Sequence, residues 1–252
     1  MVSGLILFAV LGLAVGSFLN LCIDRLPDDQ SIVRPSSHCD VCGHKLGILD
    51  LVPVFSYLWL RGRCRYCQAH IPLRVPLVEA ASALLFFVLY WQFHDSNVEL
   101  AFSLLYACAL VVIFVTDLEQ QLILNKVTYP GMAMALAFSF FRTELGVWSA
   151  VLGGLTGLGI MLLLYLLFRG GMGMGDVKLM GFVGLAVGFW EPICVALMLG
   201  MVAGGIGALF ILAVRSKGRK DVIPYGPFLV FGAFTSHMWG ESIWQWYCDL
   251  LT

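Results

Sequence analysis

Long apolar runs, broken by short polar segments, dominate the chain. A bilayer core of about 30 Å takes roughly 20 apolar residues per helix. Runs of that kind lie at Gly4–Ile23, Pro76–Phe93, Val98–Thr116, Val127–Phe141, Val147–Phe168, Val177–Trp190, Pro192–Val214 and Pro227–Trp246. None alternates with the period of two that an outer-membrane barrel strand needs, so the pattern predicts about eight helices. The fourth and sixth runs are short, and their ends are expected to lie inside the protein. The first run has no basic segment before it and is read as a retained helix, not a cleaved signal.

Composition sharpens this into a class. Hydrophobic residues make up 60% of the 252 and charged residues 12%, where a soluble domain has about 45–50% and 25%. Mean hydropathy is +0.89. A soluble fold of this size cannot hide so much apolar surface. A net charge of −1 leaves no bulk positive field for nucleic acid. The expected fold is an all-α polytopic membrane protein, surrounded by lipid.

Lys and Arg set its orientation. If the segment between the first two helices is cytoplasmic, eight crossings put fourteen of the fifteen basic residues on that side. These are Arg25, Arg34, Lys45, Arg61, Arg63, Arg65, Arg74, Lys126, Arg169, Lys178, Arg215, Lys217, Arg219 and Lys220; Arg142 alone falls opposite. Both termini are then extracytoplasmic.

The first loop, residues 24–75, is polar, basic and rich in Pro. It contains Cys39-Asp40-Val41-Cys42 and Cys64-Arg65-Tyr66-Cys67, 21 residues apart. Each Cys-x-x-Cys knuckle aims two thiolates at one point, and two knuckles close a tetrahedral zinc site. A loop of about fifty residues has too little core to hold itself, so a metal staple makes physical sense. A reducing cytoplasm disfavours the alternative of disulfides. His38, His44 and His70 lie nearby but are not needed to complete the shell. Cys22, Cys108, Cys194 and Cys248 sit in apolar runs and read as core residues.

Carboxylates near membrane depth are costly and so are functional candidates. Asp117 ends one apolar run and Asp176 opens another. In the eight-helix threading both fall at cytoplasmic helix ends, at matching depth. Two carboxylates brought together cannot both ionise cheaply, so one acts as acid and the other as the base that activates water. The bland reading is a pair of helix-terminal Asp residues satisfied by water or by Lys178. Gly173 and Gly175, just before Asp176, let an extended substrate backbone approach the carboxylate.

These residues resemble a known family. Gly173-x-Gly175-Asp176, with Gly171-Met172 before it and Val177-Lys178-Leu179 after, is similar to the signature of GxGD aspartyl proteases, and in particular of the prepilin (type IV leader) peptidases. Gly16-Ser17-Phe18-Leu19-Asn20, Arg34-Pro35-x-Ser37-x-Cys39-x-x-Cys42, Ser56-Tyr57-Leu58, Arg61-Gly62-Arg63-Cys64-x-x-Cys67, Arg74-x-Pro76-Leu77-Val78-Glu79 and Asp117-Leu118 match the same pattern in order. The resemblance covers about residues 8–235.

It implies an inner-membrane aspartyl endopeptidase with Asp117 and Asp176 as catalytic pair. Such enzymes remove the basic leader from type IV prepilins or type II secretion pseudopilins at the cytoplasmic face, after a Gly. Members with the four-cysteine loop often N-methylate the new terminus using S-adenosylmethionine. Gly173, Gly175, Lys178 and Glu79 are candidate substrate contacts; no residues are assigned to S-adenosylmethionine. One departure is Leu124-Asn125, where members often have Pro-Asp, so no catalytic role falls there. The implied organisation is an N-terminal domain, residues 1–95, and a peptidase domain, residues 96–252. Two rivals are a protease cutting inside a transmembrane helix, which the cysteine loop argues against, and a non-catalytic scaffold or transporter. A transporter would carry internal repeats and ionisable groups at the midplane, and neither is seen.

Overall fold

A computed structural model of the chain describes residues 1–142, 145–168, 172–214 and 224–251. Arg169, Gly171, Arg215, Lys217, Arg219 and Lys220, named above, lie outside the described residues. Among the described residues the fold is all-helical. Helices run over Val2–Arg25 (α1), Phe55–Trp59 (α2), Arg74–Phe93 (α3), Asn97–Gln120 (α4), Asn125–Ser139 (α5), Val147–Leu167 (α6), Met174–Val187 (α7), Glu191–Val214 (α8) and Gly226–Leu251 (α9).

Each expected apolar run thus falls on a helix, most with a few more residues at one or both ends, although α5, α6 and α7 stop at Ser139, Leu167 and Val187, short of the expected Phe141, Phe168 and Trp190. A helix closes its own backbone hydrogen bonds and continues into polar sequence until a turn breaks it. That extension takes Asp117 into the last turn of α4 and Asp176 into the first turn of α7. By length and composition α1, α3, α4, α6 and α8 can each cross a membrane unaided. The short α5 and α7 have 15 and 14 residues, and α9 is interrupted at Trp239 (φ −142°, ψ 17°). The brief α2 was not anticipated: five residues are too few to show a helical period.

The chain divides into two compact units, Met1–Val112 and Ile113–Thr252, with the break inside α4. In the first, α1 packs along α3. Gly12 and Gly16 make this possible. A Cβ on Gly12 would lie 2.6 Å from the Ser82 carbonyl oxygen, and one on Gly16 would lie 2.7 Å from the Glu79 Cα. Small residues at such crossings let backbones approach, which drives helix association where lipid offers no hydrophobic gain.

In the second unit α7 touches α5, α6, α8 and α9. It is buried on nearly every side, from Asp176 and Val177 through residues 179–184 to Ala186 and Val187. Gly153 on α6 and Gly184 on α7 meet so closely that a Cβ on either would strike the other's carbonyl. A helix enclosed in this way is screened from lipid by its neighbours, so its shortness carries no penalty. Its far end is closed by Arg142, a buried residue whose Nη1 donates to the Ala186 carbonyl at 2.6 Å.

Candidate active site and metal centre

The four-cysteine loop belongs to the first unit. At its base Arg74 pairs with Asp24 (2.6 Å), and buried Arg25 donates to the Ser31 and Pro35 carbonyls (2.9 and 2.8 Å). The two knuckles fold alike. In the first, Cys39 N–H donates to His44 O and Gly43 N–H to Cys39 O; in the second, Cys64 N–H donates to Ala69 O and Gln68 N–H to Cys64 O. Short antiparallel bridges, His38 with Lys45 and Arg63 with His70, close both loops. The residue after each second cysteine is left-handed: Gly43 at φ 67° and Gln68 at φ 60°. Glycine takes that conformation freely, whereas Gln68 has to be held in it.

The Sγ atoms of Cys39, Cys42, Cys64 and Cys67 all lie within 4.8 Å of one another, and Cys39 Sγ is 3.8 Å from Cys67 Sγ. A tetrahedron with Zn–S bonds of about 2.3 Å has sulfur atoms about 3.8 Å apart. All four are free thiols. Their protons are unevenly held. The Cys42 and Val41 amides donate to Cys39 and bring its thiol down to about 7. At Cys67 the Ala69 amide pulls downward, but desolvation and the other three sulfurs outweigh it and push the thiol up to about 12. Four thiolates repel unless a cation joins them, and a divalent metal with thiolate preference fits this set. None of His38, His44 and His70 joins the group: His44 stacks on Tyr66 and His38 Nδ1 meets the Ser36 carbonyl. Among the remaining cysteines only Cys22 is buried; Cys108 and Cys194 are half-buried, and Cys248 is exposed, so it is not the core residue expected.

Glu79 is also in this unit and is not open to solvent. It is 4% exposed, and its Oε2 accepts the Val54 N–H at 2.7 Å.

The carboxylate pair belongs to the second unit. Asp117 and Asp176 are 5% and 6% exposed. Each has one backbone donor: Gly226 N–H to Asp117 Oδ2 at 2.9 Å, and Gly173 N–H to Asp176 Oδ2 at 3.1 Å. The second contact is a helix cap, with Asp176 in the first turn of α7 reaching back to its N-cap. The two carboxylates are near enough to act on one another electrostatically. Among the described residues neither forms an ion pair. Lys178 is directed elsewhere: its Nζ donates to Asn125 Oδ1 at 3.0 Å and lies 5.4 Å from the centre of the Tyr129 ring.

The two glycines of the Gly173-x-Gly175-Asp176 motif differ. Among the described residues, a Cβ on Gly173 would meet only Asp176 Oδ2 at 3.6 Å and the Gly175 nitrogen at 3.8 Å. A Cβ on Gly175 would meet Ile123 Cβ at 2.9 Å. Gly175 answers to packing inside the unit, whereas Gly173 meets no other helix among the described residues.

Gly226 was not singled out from the sequence. It lies 109 residues from Asp117 and carries no side chain to suggest chemistry. The available signal was Tyr225-Gly226-Pro227 at the head of an apolar run, a helix-start pattern that exposes a free N–H.

Residues 10–93 match the bacterial peptidase A24 N-terminal domain, and residues 104–209 match the type IV leader peptidase family. Proteins named prepilin leader peptidase/N-methyltransferase are similar over nearly the whole chain. The one from Pseudomonas putida is 33% identical, covering 97% of this chain and 94% of its own. That from Burkholderia pseudomallei is 34% identical (93% and 85%), and that from Pseudomonas aeruginosa 30% (94% and 91%). No solved structure is a significant match. The chain belongs to the type IV leader peptidase family. It is a membrane-embedded enzyme of that family, with the four-cysteine N-terminal domain.

Proposed function

We propose that this chain is the aspartyl endopeptidase that cuts the leader from type IV prepilins or type II secretion pseudopilins, after a Gly, and then methylates the new N-terminus. The observation that carries the reading is the pair Asp117 and Asp176: two buried carboxylates, each gripped by one backbone N–H, with no ion pair to either among the described residues. Such a pair holds a single shared proton, because two charges in that setting repel. The ionised partner takes a proton from water as the water attacks the scissile carbonyl. The protonated partner donates to the carbonyl oxygen, and the proton later passes to the departing amine. The Gly226 and Gly173 amides fix both carboxylates throughout. An extended leader crosses Gly173 and presents one peptide bond.

The depth of the pair supports a cut at the membrane border. Asp117 is in the last turn of α4 and Asp176 in the first turn of α7. Only the residues before the pilin's apolar helix need to be extended, and its internal hydrogen bonds stay intact. With eight spans, the distribution of Lys and Arg supports a cytoplasmic position for this border, the cysteine loop and the leader, with both termini on the other side.

Cys39, Cys42, Cys64 and Cys67 would hold a zinc ion whose part is structural, tying two knuckles that have no core. S-adenosylmethionine, when bound, supplies an electrophilic methyl group for the freed α-amine.

The test is incubation of the purified protein with a prepilin and S-adenosylmethionine, followed by intact mass of the product. Expected is loss of the leader and gain of one methyl. Asp117→Asn and Asp176→Asn should each abolish cleavage while the protein still accumulates folded in the membrane. Near-normal cleavage by Asp176→Asn would end the two-carboxylate reading.

A further inference from the structure

The loop of the first unit shows a surface that the metal does not explain. Between the knuckles the chain turns through Ile48–Asp50 and then forms α2. Ile48 is 87% exposed, Leu49 70%, Phe55 68%, Leu58 66% and Trp59 85%. Together with Val52 and Leu60 several of them line a shallow groove of about 460 Å³. An exposed apolar patch of this kind marks an interaction surface.

Its position says with what. The Val54 N–H is bonded to Glu79, and Val54 itself has φ 61°, a conformation that a β-branched residue resists. The apolar segment is therefore clamped to α3 at the level of Glu79. Glu79 is five residues beyond Arg74, where α3 begins, about 7.5 Å along the helix axis at 1.5 Å per residue. α3 is one of the helices long and apolar enough to cross a membrane. Interfacial apolar faces sit about 5–10 Å into the headgroup and acyl boundary. Leu73 and Leu77, where α3 begins, are also exposed.

Charge agrees. From Lys45 to Arg65 there are four basic residues, Lys45, Arg61, Arg63 and Arg65, against one acidic residue, Asp50. Arg65 is paired with Asp50 at 2.8 Å, and Arg61 and Arg63 are exposed. An aromatic and aliphatic face flanked by arginines suits a bilayer surface with anionic headgroups.

We infer that the face built by Ile48, Leu49, Phe55, Leu58 and Trp59 lies in the bilayer interface beside α3, with Arg61 and Arg63 on anionic phospholipid headgroups. The apolar side chains leave water, and α2 lies on the membrane as a small anchor. The metal-binding knuckles are thereby held beside the leaflet, so the loop gains an anchor in addition to its two ends and the Val54–Glu79 bond.

The test uses the full-length protein and its Trp59→Phe variant in vesicles of phosphatidylethanolamine and phosphatidylglycerol. The difference between their emission spectra isolates Trp59 from the other tryptophans. Expected is a blue-shifted difference spectrum that loses most of its intensity when the acyl chains are brominated near the headgroup, and little of it to aqueous iodide. A second probe, Leu58→Trp in the Trp59→Phe background, should behave alike. Ready quenching by iodide with no effect of brominated lipid, at both probes, would overturn the proposal and show a water-facing surface open to a protein.

Discussion

Replacing Gly226 with Ala tests whether the backbone grip on Asp117 matters to catalysis. The added Cβ would lie 2.6 Å from Asp117 Oδ2, 2.8 Å from its Cγ and 3.2 Å from its Cβ. Ordinary contact begins near 3.4 Å, so the carboxylate or the start of α9 must move by the better part of an ångström. Asp117 is buried at the end of α4, and its side chain is too short to swing clear. The 2.9 Å bond from the Gly226 N–H is then stretched or lost. A hydrogen bond to a charged group is worth about 1.5–3 kcal/mol, and a misplacement of about 1 Å at a reacting centre costs on the order of 10²-fold. Both point to a fall in kcat of about 10²-fold, equivalent to about 2.7 kcal/mol, with a smaller change in KM, since the remote leader contacts remain. The assay is steady-state cleavage of a prepilin, with membrane yield and zinc content as controls of folding. Gly205→Ala is the companion variant, because a Cβ there meets nothing within 4 Å, and it should cleave as wild type does. Cleavage by Gly226→Ala within about threefold of wild type would refute the reasoning, since the clash and the lost bond predict far more.

Two further outcomes follow from the same geometry. Cys64 is the most buried of the four loop thiols (5% exposed); Cys64→Ser should lower zinc from one per chain to substoichiometric and open residues 24–75 to limited proteolysis. Metal analysis and peptide mapping check this, and with the proposed Asp117 and Asp176 site in the second unit, leader cleavage should fall less than methylation. Asn125→Asp converts the contact with Lys178 into an ion pair at an exposed position, which is worth at most about 1 kcal/mol. Thermal unfolding in detergent should shift by a few degrees or less, and cleavage should stay near wild type because Asn125 reaches neither carboxylate.

Much of this protein was legible without coordinates. Each of the eight apolar runs falls on a helix among the described residues, because an apolar backbone has to close its own hydrogen bonds, although only five of those helices are long and apolar enough to cross a membrane. The cysteine spacing pointed to one tetrahedral cluster, and the four Sγ atoms do converge. Asp117 and Asp176 could be picked out because a carboxylate beside an apolar run is conspicuous, and both now sit in one unit as a buried pair. These signals are local or compositional, and a single stretch of chain carries each of them. What depended on tertiary structure is whatever joins distant stretches through atoms that every residue has. The grip of Gly226 on Asp117 and of Glu79 on Val54 uses backbone N–H groups, which leave no mark in a sequence. Gly175 yields to Ile123 while Gly173 meets no other helix among the described residues, although the two read alike in the motif. The burial of α7 on nearly every side, which lets a 14-residue helix serve, comes from glycines on α6 and α7 meeting face to face. Side-chain type and spacing are written along the chain, but which backbone amide meets which carboxylate is settled only when the helices pack.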